Sequence, residues 1–247
     1  MKSICIIPVR MGSSRFYGKP LKSINGIAMT HLCYKNAQKS KFIDKVFIAT
    51  PDIQIRNYFK KINIDVVMTS IKHQRASDRT YEALIKIEKK YNKKIKYITM
   101  LQGDEPMITS QMIDNATKSL IKNKKIGCVN LMSEIKTRKE AQDKNLIKVV
   151  TDKTKHALYF SREPIPNGNL NVSGNYFKQV CVMPFRREYL IKFNNLKPTL
   201  LEKNESIDML RFLENNIKVQ MVITKKITQS VDTPSDLKKV KRLLRKN

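Results

Sequence analysis

An apolar run over residues 4–9 opens the chain and stops at a turn rich in Gly and Ser. A run of that length without polar alternation predicts a strand buried on both faces of a parallel sheet. Residues 29–40 then have helical spacing, and residues 45–50 (KVFIAT) read as a second strand. Residues 53–62 suit a short helix and residues 65–69 (DVVMT) a third strand. Residues 79–90 place Ala83, Leu84 and Ile87 on one helical face. Residues 97–101 (YITML) form a fourth strand that runs straight into Gln102-Gly103-Asp104-Glu105-Pro106. Strands alternating with helices predict βαβ units, in which ligands bind at the carboxyl edge of the sheet. The polar loops after Val9 and after Leu101 both fall at that edge.

From residue 127 to 185 the pattern changes. Strand-like runs at 128–131, 147–150, 157–160 and 180–183 follow one another through loops, which predicts an antiparallel excursion able to carry an interface. A helix over 202–215, a strand over 218–223 and a last helix from Pro234, N-capped by Thr233, complete the reading. With no repeat and no linker, residues 1–247 are read as a single α/β domain.

A hydrophobic content of 41% excludes a disordered chain. No apolar run approaches the ~20 residues a membrane span needs, and the first ten residues lack a signal-peptide core. No membrane partner and a cytoplasmic location are therefore expected. Cys5, Cys33, Cys128 and Cys181 are far apart with no CxxC pair, which predicts reduced cysteines rather than zinc or disulfides. His31, His73 and His156 share no metal-ligand spacing. Lys and Arg total 49 against 21 acids, a net charge of +28. Such a balance attracts polyanions. The excess is mainly lysine, distributed along the chain beside much Ile and Asn, which reads as a solvated lysine surface that also draws in nucleotides.

Three segments carry candidate chemistry. In residues 8–21 (PVRMGSSRFYGKPL) a Gly/Ser turn follows a strand, and Arg10, Arg15 and Lys19 add cations suited to phosphate oxygens. It is neither a P-loop nor GxGxxG. In residues 101–106 (LQGDEP) Asp104 stands just past a buried strand, where a carboxylate either holds Mg²⁺ or caps a turn. In residues 231–237 (VDTPSDL) Asp232 begins a helix and is able to face a metal as well.

In this order and spacing the three segments resemble the CMP-Kdo synthetases, the 3-deoxy-manno-octulosonate cytidylyltransferases. The resemblance continues through His73-Gln74 to Asp78-Arg79 (HQSGTxR in the family). It runs on through residues 145–150 (NLIKVV), 157–166 (ALYFSREPIP) and 201–211 (LEKNESIDMLR), and so covers nearly the whole chain. It implies a Rossmann-like nucleotide-diphospho-sugar transferase fold, a mostly parallel sheet with a small antiparallel dimerisation lobe within 127–185. It further implies a homodimer, Mg²⁺ as cofactor, and CTP and an acidic 3-deoxy sugar as substrates. The reaction implied is attack of the sugar's anomeric hydroxyl on the α-phosphate of CTP with release of pyrophosphate, for lipopolysaccharide or capsule synthesis. By position, Arg10, Lys19, Asp104 and Asp232 would be catalytic, with Asp104 and Asp232 holding metal. Pro8, Arg10, Ser13, Ser14, Arg15, Lys19 and Gln102 would bind CTP. Arg79, Gln102, Tyr159, Arg162, Gln179, Glu205 and Asp208 would face the sugar.

Departures from the family pattern cluster on the sugar side. Phe16-Tyr17 stands for Leu-Pro, Arg75-Ala76 for Ser-Gly, Gln179 opens the segment that is His-x-Gly-Ile-Tyr in the family, and Asp208-Met209 replaces Glu-Gln. Two alternatives stay open. One keeps the chemistry with another 3-deoxy-ulosonic acid, 8-amino-Kdo or a nonulosonic acid. The other is a non-catalytic, basic nucleic-acid-binding protein on this fold, against which the retained acids, the absence of Trp and the lack of aromatic-rich basic motifs all weigh.

Overall fold

The structure is a computed structural model that describes residues 1–12, 15–167 and 176–245. In chain order the first strands are β1 (Ser3–Pro8), β2 (Ser23–Ile24), β3 (Ile27–Ala28), β4 (Lys45–Thr50), β5 (Val66–Met68) and β6 (Tyr97–Leu101). They are followed by β7 (Cys128–Glu134), β8 (Lys148–Thr151), β9 (Ala157–Ser161), β10 (Phe177–Val180), β11 (Val182–Arg186) and β12 (Val219–Thr224). The helices are α1 (Met29–Gln38), α2 (Ile53–Lys61), α3 (Ala76–Tyr91), α4 (Ser110–Lys122) and α5 (Arg138–Gln142). After them come α6 (Arg187–Asn195), α7 (Leu200–Glu205), α8 (Leu210–Glu214) and α9 (Pro234–Leu243). The chain divides into two compact units, Met1–Asp114 with Thr228–Asn247, and Asn115–Ile227.

In the first unit β5, β4, β1 and β6 lie side by side in that order, all parallel. Every residue of β1 is buried. Successive strand residues face opposite sides, so both faces of the sheet are covered, as the apolar run predicts. The chain steps outward from β1 to β4 to β5, then returns to the far side of β1 as β6. The strand order therefore reverses between β1 and β6, and loops leaving the carboxyl ends of those two strands open a crevice for ligands. The final helix completes this unit. Val231 and Val240 are buried with Ile24, Met29 and Met107, and Phe16 and Leu237 pack against them.

In the second unit β7 is central. β10 and β11 pair antiparallel with β7 in succession along one edge, and β12 pairs parallel along the other. β8 joins β10 and β9 joins β8, both antiparallel, with a bulge at Val150/Thr151.

Several expectations are corrected. The single strand over 180–183 is two strands broken at Cys181, because β10 and β11 pair with different stretches of β7. The excursion also contains a short helix, α5, N-capped by Thr137, whose side chain accepts Glu140 N at 3.2 Å. The third helix starts at Ala76 rather than residue 79. The helix over 202–215 is interrupted: Ser206 takes the left-handed conformation (φ 55°) and ends α7 before α8 begins at Leu210. Arg162 stabilises that end by donating from Nε to the Glu205 carbonyl at 2.7 Å and from Nη2 to the Ser206 carbonyl at 3.4 Å. None of the four cysteines is in a disulfide. Cys33 is buried with Cys5 and Cys128, whereas Cys181 is partly exposed. Among the described residues no helix is long and apolar enough to cross a membrane.

Candidate active site

The loop after β1 is held in shape by the strands beside it. Val9 N donates to the Ala49 carbonyl at 2.9 Å, and Gly18 N closes the loop on the Met11 carbonyl at 3.0 Å. Gly18 sits at φ 69°, a left-handed conformation that glycine adopts without steric cost. Lys19 follows at the start of a short 3₁₀ turn with Pro20. Ser13 and Ser14, expected to cradle the triphosphate, lie outside the described residues. Pro8 is the buried last residue of β1, and Arg10 is exposed just beyond it.

The loop after β6 approaches β1 so closely that only glycine fits. A Cβ on Gly103 would stand 2.3 Å from Val9 Cγ1 and 3.0 Å from Thr30 Oγ1. The Gly103 carbonyl accepts the Thr30 hydroxyl at 3.3 Å, which sets the direction in which Asp104 leaves the strand. Asp232 is brought in by the returning chain. Val231 N donates to the Asp104 carbonyl at 2.9 Å, and Asp236 Oδ2 accepts Asp232 N at 3.1 Å and Thr233 N at 2.8 Å. The helix cap that the residue types predict thus also positions Asp232 beside Asp104.

One ammonium group joins the two acids. Lys19 Nζ donates to Asp104 Oδ2 at 2.7 Å and to Asp232 Oδ1 at 3.3 Å, and Arg15 Nη2 reaches the same Asp232 oxygen at 2.9 Å. Burial works against the charge on Lys19, but Asp104 and Asp232 outweigh it and hold its pKa above the ordinary lysine value. Asp232 moves upward too, through burial and then the Asp104 charge, which exceed the opposing pull of Lys19 and Arg15. Two carboxylates are therefore kept together at the switch point by cations from the glycine loop.

Asp52, just past β4, escaped the sequence reading. It stands at the N-cap of α2 but makes no side-chain bond to its own helix. Its Oδ2 instead accepts Met11 N at 2.8 Å and fixes the start of the glycine loop. The signal was available, because Asp52 follows a buried strand as Asp104 does. Asp52→Ala is expected to loosen that loop and to raise KM for a phosphate-bearing substrate about tenfold, in steady-state assays with that substrate varied.

The residues expected at the sugar fall in both units. Gln102 and Arg79 belong to the first. Arg79 is buried and donates to Thr69 Oγ1 at 2.6 Å, the Ser70 carbonyl at 3.1 Å and the His73 carbonyl at 3.3 Å. Burial, and then nearby Arg10, push its pKa below the ordinary arginine value. Glu82 holds the same segment, accepting Ser70 N at 2.7 Å and contacting His73 Nε2 at 2.5 Å. Although burial opposes it, hydrogen bonds from Lys86, Ser70 and His73 bring Glu82 down to about 2.

Tyr159, Arg162, Gln179, Glu205 and Asp208 belong to the second unit, where they make internal bonds. The Glu205 carboxylate accepts Tyr159 OH at 3.4 Å, Ser161 Oγ at 3.0 Å and Arg162 N at 2.9 Å. Besides its contacts at the end of α7, the Arg162 guanidinium donates to the Lys144 carbonyl at 3.0 Å. Gln179 Nε2 donates to Asn130 Oδ1 at 2.5 Å. Asp208 lies in the segment between α7 and α8, where its carbonyl accepts Arg211 N at 3.1 Å.

Comparison with known proteins agrees with this layout. A family model described as cytidylyltransferase matches residues 4–246. A 3-deoxy-manno-octulosonate cytidylyltransferase from Thermodesulfovibrio yellowstonii is 36% identical over 252 residues, covering 99% of this chain and 98% of that protein. Its counterpart from Fusobacterium nucleatum is 34% identical, covering 100% and 98%. A solved CMP:2-keto-3-deoxy-manno-octonic acid synthetase, complexed with CTP, superposes with a TM-score of 0.89 at 30% identity over 100% of this chain and 99% of that one. A cytidylyltransferase structure from Leptospira borgpetersenii, at 18% identity and a TM-score of 0.67 over 100% of this chain and 88% of that one, shares the fold.

Proposed function

This chain belongs to the cytidylyltransferase family, among the CMP-Kdo synthetases, and from that premise we propose that it transfers CMP from CTP to Kdo and releases pyrophosphate. The observation that carries the reading is the Lys19–Asp104–Asp232 junction at the carboxyl edge of β1 and β6. Phosphoryl transfer is mainly positioning and charge neutralisation, and a cation held between two acids beside a glycine loop serves both. Arg10, Arg15 and Lys19 bind the triphosphate, and the loop amides orient it. Pro8 and Gln102 border the nucleotide at the ends of their strands.

Asp104 Oδ2 and Asp232 Oδ1 both reach one cation, the Lys19 ammonium. Among the described residues no group of three or more metal-type side chains exists. Two carboxylates completed by substrate phosphates still fit Mg²⁺, which is commonly held by one or two acids plus phosphate oxygens. Asp104 and Asp232 would hold the ion, which when bound supplies charge neutralisation to the phosphates. The reading also includes a homodimer formed through the 127–185 excursion, and a reaction run in the cytoplasm to feed surface-glycan synthesis.

On the sugar side, Arg79 and Arg162 act by shaping their loops, since both guanidinium groups are committed to carbonyls. Tyr159, Glu205, Gln179 and Asp208 complete the sugar-facing set. A related acceptor remains the second reading, favoured by Gln179, whose amide is turned onto Asn130. Pyrophosphate release with CTP, Mg²⁺ and Kdo tests the proposal. Activity with Kdo supports it. Activity only with 8-amino-Kdo or a nonulosonic acid moves the acceptor, and no activity with any acidic sugar refutes cytidylyl transfer.

A further inference from the structure

In the first unit α1, α2 and α3 each return the chain to the amino edge of the parallel sheet, the edge opposite the candidate active site. Eleven exposed lysines gather there. Lys35, Lys39 and Lys41 lie at the end of α1 and just beyond it, and Lys60 and Lys61 end α2. Lys89, Lys90, Lys93 and Lys94 lie at and beyond the end of α3. Lys2 and Lys96 precede β1 and β6, where Lys96 N donates to the Lys2 carbonyl at 2.9 Å. Lysines in a helix's last turn complement its dipole. That accounts for Lys35, Lys60, Lys61, Lys89 and Lys90, but not for those in the connecting segments.

The acids of this edge are already committed. Asp44 accepts Lys2 N and Ser3 N, and Asp65 pairs with Lys45 at 2.8 Å and Lys90 at 3.7 Å. Glu88 Oε1 accepts Ile95 N at 2.8 Å, and Asp114 Oδ1 accepts Lys41 N at 3.0 Å. Among the described residues Lys39, Lys60, Lys61, Lys89 and Lys94 make no ion pair, and eleven lysines against these four acids leave the edge net positive.

Against the expectation from the sequence that the protein has no membrane partner, we infer that this edge is a peripheral docking surface for an anionic phospholipid bilayer. The segments that form this edge, residues 1–4, 35–45, 57–65 and 88–96, contain no arginine. Point charges on flexible stems suit a fluid array of headgroups, whereas reading a nucleic acid favours arginine forks. Tyr91 on this edge has Lys45 at 5.2 Å and Lys90 at 5.4 Å from its ring centroid, cations that compete with a base for stacking on the ring. Tyr91 and the part-exposed Ile62 offer the kind of apolar and amphipathic contact found at a membrane interface.

The test is co-sedimentation of the full chain with vesicles of phosphatidylcholine containing about one-third phosphatidylglycerol, beside pure phosphatidylcholine vesicles. Binding is expected only to the anionic vesicles and is expected to weaken with salt, as screening requires. The combined variant Lys60→Gln, Lys61→Gln, Lys93→Gln, Lys94→Gln should bind about 10³-fold more weakly, since each lysine near a charged surface contributes about 1 kcal/mol and every 1.4 kcal/mol is about tenfold. Its cytidylyltransferase activity in solution should be unchanged, which shows that it folds. Lys124→Gln, Lys125→Gln, Lys136→Gln, Lys139→Gln removes the same charge from the second unit and should cost about twofold at most. Equal losses in the two variants would mean that bulk charge and not this edge is responsible. Failure to bind anionic vesicles, or release from them by a lower concentration of single-stranded oligonucleotide phosphate than of lipid phosphate, would also overturn the assignment.

Discussion

Lys19→Met is expected to lower kcat/KM for CTP by about 10²–10³-fold, the scale on which a charge-stabilising group counts in such a transition state. The substitution keeps the length of the stem and removes the ammonium that bridges Asp104 and Asp232. It should also change how stability follows pH. In the wild-type protein the Lys19 pKa lies above its ordinary 10.5, so its contribution to stability is complete below that value and is lost only in stronger alkali. Asp232 is displaced upward from 3.8 by burial and then by Asp104, so its ionisation costs folding free energy once pH exceeds that range. Without Lys19 that cost grows. The variant's Tm should therefore rise more steeply than the wild type's on acidification from neutral pH toward the carboxylate range. A variant that keeps full activity would show that the bridge has no catalytic role, and one whose Tm follows pH as the wild type's does would show that it does not offset the Asp232 charge.

Glu202→Gln should reduce stability by about 3–5 kcal/mol, the cost of leaving a buried charge without its partner. Glu202 is wholly buried and Arg211 nearly so, and two contacts of 2.7 and 2.6 Å join them. Arg211 also donates to the Phe193 carbonyl at 3.2 Å, and its guanidinium lies 4.1 Å from the centroid of the Phe193 ring. With a neutral amide at 202, the guanidinium stays buried without a compensating charge. Denaturant unfolding should show the lowered midpoint. The double variant Glu202→Leu, Arg211→Met should recover much of the loss, since apolar packing replaces a buried pair at little net cost. A single variant as stable as the wild type would mean that water or a rearranged side chain reaches Arg211.

The alternation of strands and helices was legible along residues 4–101 because periodicity records, residue by residue, which positions face a covered sheet. Each strand read there, β1, β4, β5 and β6, lies within a residue or two of its expected place. The cap at Thr233 and the acids after buried strands were legible for the same reason, since turn chemistry is written within a few residues. The break between α7 and α8 was not. Residues 202–215 carry good helical spacing, and the left-handed Ser206 and the Arg162 that satisfies the freed carbonyls depend on a residue more than forty positions away.

Sequence alone therefore determined which segments form the parallel sheet, where its carboxyl-edge loops begin, and which cations and carboxylates those loops carry. The tertiary structure alone decided what those side chains touch. Lys19 meets acids 85 and 213 residues away, Arg79 is spent on its own loop, and scattered lysines collect at one edge of a sheet. The physical reason is range. Backbone pattern and turn chemistry act over a few residues, whereas ion pairing, burial and surface charge depend on which distant segments the packed sheet brings together.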